Sequence, residues 1–159
     1  MPKRELSSPS QIIDWLEDWG SKISEPAEMI LIGSGALLWH VHQSGRSDQL
    51  PENSMDVDPI TSSEEVAILA YDSIIGSKFE QDHGWHVNLM PDMVLKTFPS
   101  DWMERASKSF HGNLTVIVPC IADLLAPKLM RNEPRDVAHA EFMSNLGLYE
   151  HDDGDSTEP

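Results

Sequence analysis

The stretch Glu28–His40, EMILIGSGALLWH, decides the fold. Glu28–Ile32 is a short apolar run stopped by Gly33-Ser34-Gly35, the pattern of a buried strand entering a tight turn. Ala36–Gln43 follows with good helix formers and no breaker, which predicts a short helix. Downstream, Met55–Ile60 reads MDVDPI and alternates polar with apolar side chains, as a strand with one buried face does. Strand, turn, helix and a second strand in this order are part of a sheet with helices packed against it.

Working outward, residues 1–9 read as a flexible lead-in. Ser10 is the expected cap of a helix in which Ile12, Leu16, Trp19 and Ile23 share one face, with Gly20 at its end. Ser44–Ser54 is polar and contains Gly and Pro, so an exposed loop is expected. Thr61 or Ser62, three residues before Glu64 or Glu65, is a capping box opening a helix to about Ile75. Trp85–Leu89 alternates and reads as a strand; Phe98–Phe110 holds a short helix. Leu114–Val118 is the clearest strand by its β-branched content. Ile121–Met130 reads as an apolar helix, and Pro134 opens a last one closed by Gly147. Residues 150–159 carry five acids and no base, the composition of a disordered tail. The expectation is one domain over residues 10–149, an α/β or α+β fold with a small mixed sheet flanked by helices.

Eleven Lys and Arg stand against 27 Asp and Glu in 159 residues, a net charge of −16. Such acidity opposes coating of DNA or other nucleic acid, because each phosphate contact needs a Lys or Arg. It leaves room for a local basic site, since Arg105, Lys108, Lys128, Arg131 and Arg135 fall in one stretch. No apolar run approaches the roughly 20 residues of a membrane span. MPKRELSSPSQ lacks the apolar core of a signal peptide. The single cysteine, Cys120, excludes an internal disulfide and fits a reducing cytoplasm.

The chemistry gathers at Asp56 and Asp58. A spacing of two on a strand puts both carboxylates on one face, about 7 Å apart along the chain. Two such groups repel unless a cation sits between them, and a hard ion such as Mg²⁺ takes this oxygen-only arrangement together with substrate phosphates. Gly33-Ser34-Gly35 ahead of a helix offers backbone N–H groups and a helix N-terminus, which accept a phosphate. A phosphate cradle beside paired carboxylates is the equipment for nucleotidyl transfer.

These residues resemble the DNA-polymerase-β-like nucleotidyltransferase superfamily, in particular small bacterial members related to the abortive-infection, AbiEii-like toxins. ILIGSGALLWH is similar to their glycine turn and first helix, and Arg46, Ser54, Asp56 and Asp58 to their Arg–Ser/Thr–x–Asp–x–Asp pattern. VPCIADLLAPKLMRNEPRDVAHAEF resembles their later helical segment with its Lys and Arg-Asp pair. The resemblance implies a minimal nucleotidyltransferase fold in which Gly33 and Ser34 hold the triphosphate and Asp56 and Asp58 bind Mg²⁺. It further implies that Lys128, Arg131 and Arg135 face the nucleotide, with Asp136 orienting one of these bases. The expected partners are an NTP, an RNA (tRNA included) or protein acceptor, and a cognate antitoxin. The sequence departs from the pattern at Asn88, which stands where a third catalytic carboxylate is expected; Asp92 and His86 are the alternative groups nearby. A catalytically degraded binding module is therefore the rival to an active enzyme.

Each of these readings has a plainer rival. Asp-x-Asp on a strand is commonly a solvated edge, and Gly-Ser-Gly a turn that needs positive φ. Lys128, Arg131 and Arg135 could be surface charges paired with Glu133 and Asp136; if instead they serve the nucleotide, Lys128→Ala is expected to weaken NTP binding with stability nearly unchanged, and equal affinity would return them to surface charges. His40, His42, His83 and His86 lack the spacing of a closed zinc site. Methionines and tryptophans are expected in the core, Cys120 as a small buried residue, and His139 on the face of Arg135.

Overall fold

In a computed structural model, which describes residues 6, 8–48 and 56–149, five strands form one mixed sheet in the order β3-β2-β1-β5-β4. The strands are β1 (Ala27–Ile32), β2 (Asp56–Ile60), β3 (His86–Val87), β4 (Ser107–His111) and β5 (Leu114–Val118). β1 is central, parallel to β5 and antiparallel to β2; β2 runs parallel to β3, and β4 antiparallel to β5. The helices are α1 (Pro9–Lys22), α2 (Gly33–Gln43), α3 (Glu64–Tyr71), α4 (Lys78–His83), α5 (Trp102–Arg105), α6 (Ile121–Arg131) and α7 (Pro134–Asn145), with a 3₁₀ segment at Asp92–Thr97. The expected mixed sheet flanked by helices is the observed architecture. Among the described residues no helix is long and apolar enough to cross a membrane.

Several boundaries move, each for a local reason. α1 starts at Pro9 within the expected lead-in, and Leu6 is fully buried in the core. Its cap is Ser8 rather than Ser10: the Ser8 N–H donates to Gln11 Oε1 at 2.8 Å. Gly20 does not end the helix. A Cβ there would lie 2.0 Å from the His111 carbonyl oxygen, so glycine lets α1 press onto the β4–β5 hairpin. The same contact is reinforced by His111 Nδ1, 2.6 Å from Glu17, and His111 Nε2, 2.9 Å from Ser109 Oγ. Trp39 Nε1 donates to that Ser109 oxygen at 3.1 Å, tying α2 to the edge strand.

β4 and α4 were not legible as elements. β4 reads SKSFH, mostly polar, and is strand only because it pairs with β5 across the two residues Gly112 and Asn113. α3 is capped by Ser63, whose Oγ accepts the Val66 N–H at 3.3 Å; Thr61 instead donates to the Glu28 carbonyl at 2.7 Å. α3 ends at Tyr71, short of Ile75. β3 is shorter than expected, although its pairing continues: the Asn88 N–H donates to the Val57 carbonyl at 2.8 Å and Met90 to Pro59 at 2.9 Å. The tryptophans lie in the core, but Met93, Met103 and Met130 are exposed, against expectation. Met55, Ser54 and residues 150–159 fall outside the described residues.

Candidate functional site

β2 carries Asp56 and Asp58 on one face, half-buried, with Val57 buried on the other. Asp58 pairs across β1 with Ile32, the residue before Gly33, so its side chain meets the start of α2. Gly33 has φ +76°, and a Cβ there would sit 2.5 Å from Asp58 Oδ2. Glycine is therefore required twice, for the left-handed backbone and for the approach of the carboxylate. α2 begins without a side-chain cap, which leaves the N–H groups of its first turn as anion donors. Ser34, which follows, is buried.

On the other side, β3 pairs Asp56 with His86 and Val57 with Val87. Asn88 is thereby brought to Asp58, and its Nδ2 donates to Asp58 Oδ1 over a long 3.4 Å. His86 is held through Nδ1 by Glu80 of α4 at 2.9 Å. Nothing in the sequence reading singled out Glu80, whose role depends on the packing of α4 on β3. Asp92 is exposed at the start of the 3₁₀ segment.

α6 and α7 bring the positive charge. Asn132 ends α6 in the left-handed conformation, φ 57°, and Pro134 restarts the chain as α7, folding Asp136 back onto α6. Asp136, 2% exposed, accepts from Arg131 Nη2 at 2.9 Å and lies 3.5 Å from Lys128 Nζ. Burial alone would raise the Asp136 carboxyl, but the Arg131 hydrogen bonds and the Lys128 charge bring it below its ordinary value. Lys128 is itself 8% exposed and burial lowers its pKa, against the pull of Asp136. It is not a surface charge, so Lys128→Ala is now expected to cost stability, where the sequence suggested nearly none. Arg135 is exposed, and its charge bears on Lys128.

Asp58 registers the whole assembly. Burial and the Asp56 charge push its carboxyl up to about 7, opposed by the Asn88 hydrogen bond and the charges of Lys128 and Arg131. Gly33, Asp56, Asp58, Asn88, Lys128 and Arg131 thus act on one place, reached from three separate elements (α2, β2 and α6) and the loop after β3. Other basic residues lie elsewhere: Arg105 is bound to Asp101 and Asp123, and Arg46 lies 3.9 Å from Asp48. His139 is fully buried rather than facing a ligand. His40 Nε2 bonds the Pro119 carbonyl at 2.8 Å. Among the described residues no three His, Cys, Asp or Glu side chains converge as a metal cluster. An open cavity of about 800 Å³ lies at the start of β1, lined by Glu25, Glu28, Glu64 and Glu65; its acidity makes it no place for phosphate.

A family model described as "Nucleotidyltransferase of unknown function (DUF6036)" matches residues 12–148. The chain belongs to this family. The match spans α1 through α7 and so includes every element of the candidate site. No curated protein and no solved structure matches the chain. Membership in a nucleotidyltransferase family agrees with the mixed sheet and with the superfamily resemblance of the glycine turn and paired Asp residues.

Proposed function

We propose that this protein binds a nucleoside triphosphate with Mg²⁺ and, when active, transfers a nucleoside monophosphate to a hydroxyl of RNA, tRNA included, or of a protein. The observation that carries the reading is Asp58, pressed against Gly33 at the open end of α2, coupled to Asp56, and within the field of Lys128 and Arg131. The donor set fits one hard cation: two carboxylates on one face of β2, whose coordination phosphate oxygens of the nucleotide would complete. The ion would neutralise charge on the transferred phosphoryl group and the departing pyrophosphate. The α2 N-terminus accepts phosphate oxygens, and Lys128 and Arg131 supply positive charge to the triphosphate. The acceptor oxygen would attack the α-phosphorus, and the bond to the pyrophosphate oxygen breaks.

A second reading, a nucleotide-binding module without turnover, is favoured by Asn88. Its amide donates to Asp58 and takes no proton near neutral pH, so the acceptor hydroxyl lacks the usual third carboxylate. Calorimetric titration with each NTP, with and without Mg²⁺, tests the common part of both readings. Binding that needs Mg²⁺ and is lost in Asp56→Asn supports them; Mg²⁺-independent or absent binding overturns them. Radiolabelled NTP incubated with total RNA or candidate proteins then separates enzyme from module. Labelling only after Asn88→Asp would identify a degraded site. The AbiEii-like resemblance supports a cytoplasmic toxin or phage-defence role with a cognate antitoxin; growth arrest on induction, relieved by Asp58→Asn, is the expected result.

A further inference from the structure

α3 and the turn after it turn four large apolar side chains to solvent. Ile68 is 58% exposed, Tyr71 63%, Ile74 42% and Ile75 70%. Ile68 and Tyr71 stand one helical turn apart, while Val66 and Ala70 bury the opposite face of α3. The turn that carries Ile74 and Ile75 is anchored. Ser73 is buried, its Oγ donates to the Leu69 carbonyl at 2.9 Å, and its own carbonyl accepts the Val87 N–H at 2.8 Å. Val87 in turn pairs with Val57, between the two Asp residues. The patch is therefore held against the β3 edge, beside the candidate site.

Neighbouring exposed apolar side chains on a fixed surface mark a place that meets something else, since isolated ones need no explanation and grouped ones are avoided. Charge says what kind of partner fits. Glu64 and Asp72, at either end of α3, are exposed acids, and the chain carries −16. A second copy brings the same sign of charge and is repelled. Nucleic acid is repelled likewise. An apolar anchor surrounded by Lys and Arg is complementary in both respects. We propose that Ile68, Tyr71, Ile74 and Ile75 form a docking surface for a protein partner that presents an apolar helix face rimmed by basic residues. Nucleotide binding is not a premise of this inference.

The probe is a labelled synthetic peptide of Leu and Lys ordered as an amphipathic helix, followed by fluorescence anisotropy with the full chain. A peptide of identical composition in scrambled order is the control for charge alone. At roughly 150 mM salt, where long-range attraction is screened, wild type should prefer the amphipathic peptide by about tenfold or more. The double variant Ile68→Ser, Ile75→Ser keeps the charge and removes only exposed side chains, so it should melt as wild type does and lose the preference. Equal binding of both peptides by wild type overturns the proposal, as does a preference that survives in the double variant. Sedimentation of wild type alone should show a monomer; a dimer abolished by the double variant would assign the surface to a second copy and overturn the partner proposed here. RNA binding that the double variant abolishes would overturn it too.

Discussion

At the residue scale, Asp58 and Gly33 carry the sharpest consequences. The Asp58 carboxyl is raised from 3.8 to about 7 by burial and by Asp56. Between these values the folded chain keeps a proton that the unfolded chain has released, so stability falls as pH rises through the window. Asp58→Asn has no such proton. Going from about pH 5 to about pH 8, urea unfolding should show wild type losing roughly 1–4 kcal/mol more than this variant. Equal losses would mean that Asp58 titrates as an ordinary carboxylate. Since a cation needs the ionised form, Mg²⁺-dependent NTP affinity should also rise as pH passes about 7. Gly33→Ala forces a side chain into φ +76° and against Asp58, at a cost of roughly 1–3 kcal/mol. Denaturant midpoints measure this, and NTP affinity should fall with them.

The α6–α7 turn sets the energetics at the element scale. Asp136 is the counter-charge for both Lys128 and Arg131, and Lys128 is buried. Asp136→Ala strands a buried ammonium and should destabilise by roughly 3–5 kcal/mol. Lys128→Met keeps the volume and leaves Asp136 bonded to Arg131, so it should cost less while weakening NTP binding. Thermal melts of the two variants give the order; the reverse order would show that Asp136 is not what holds Lys128. At the far edge, the Glu17–His111–Ser109 chain of hydrogen bonds fastens α1 to β4, as Asp136 fastens α7 to α6, but between elements that lie far apart in sequence.

For the whole molecule the controlling quantity is the charge of −16. Like charges crowd together when the chain folds, and the ion pairs around Asp136 and Arg105 offset only part of this. Raising NaCl from about 10 mM to about 200 mM shortens the screening length from about 30 Å to under about 10 Å. The melting temperature should rise over that range. A flat or falling curve would mean that local pairing already balances the surface.

Local pattern was enough for the strand-turn-helix of Ala27–Gln43, for the shared face of Asp56 and Asp58, and for β5, because a period of two and a glycine stop are properties of adjacent residues. The place of Asn88 beside the Asp pair was expected through the superfamily resemblance, not from local pattern, and the structure brings its amide to Asp58. What sequence did not reveal has a common cause. β4 is a strand because β5 lies next to it; Gly20 is glycine because His111 arrives from 91 residues on; Lys128 is buried because α7 turns back over it. The 3.4 Å contact between Asp58 and Asn88, 30 residues apart, and the Glu80–His86 pair exist only through the register of β2, β3 and α4. The amino-acid sequence by itself determined most of the helices and strands, β4 and α4 excepted, and which chemical groups each face offers. Tertiary packing decided which groups meet and which charges lose their water, since pairing and desolvation depend on neighbours that no window of sequence contains.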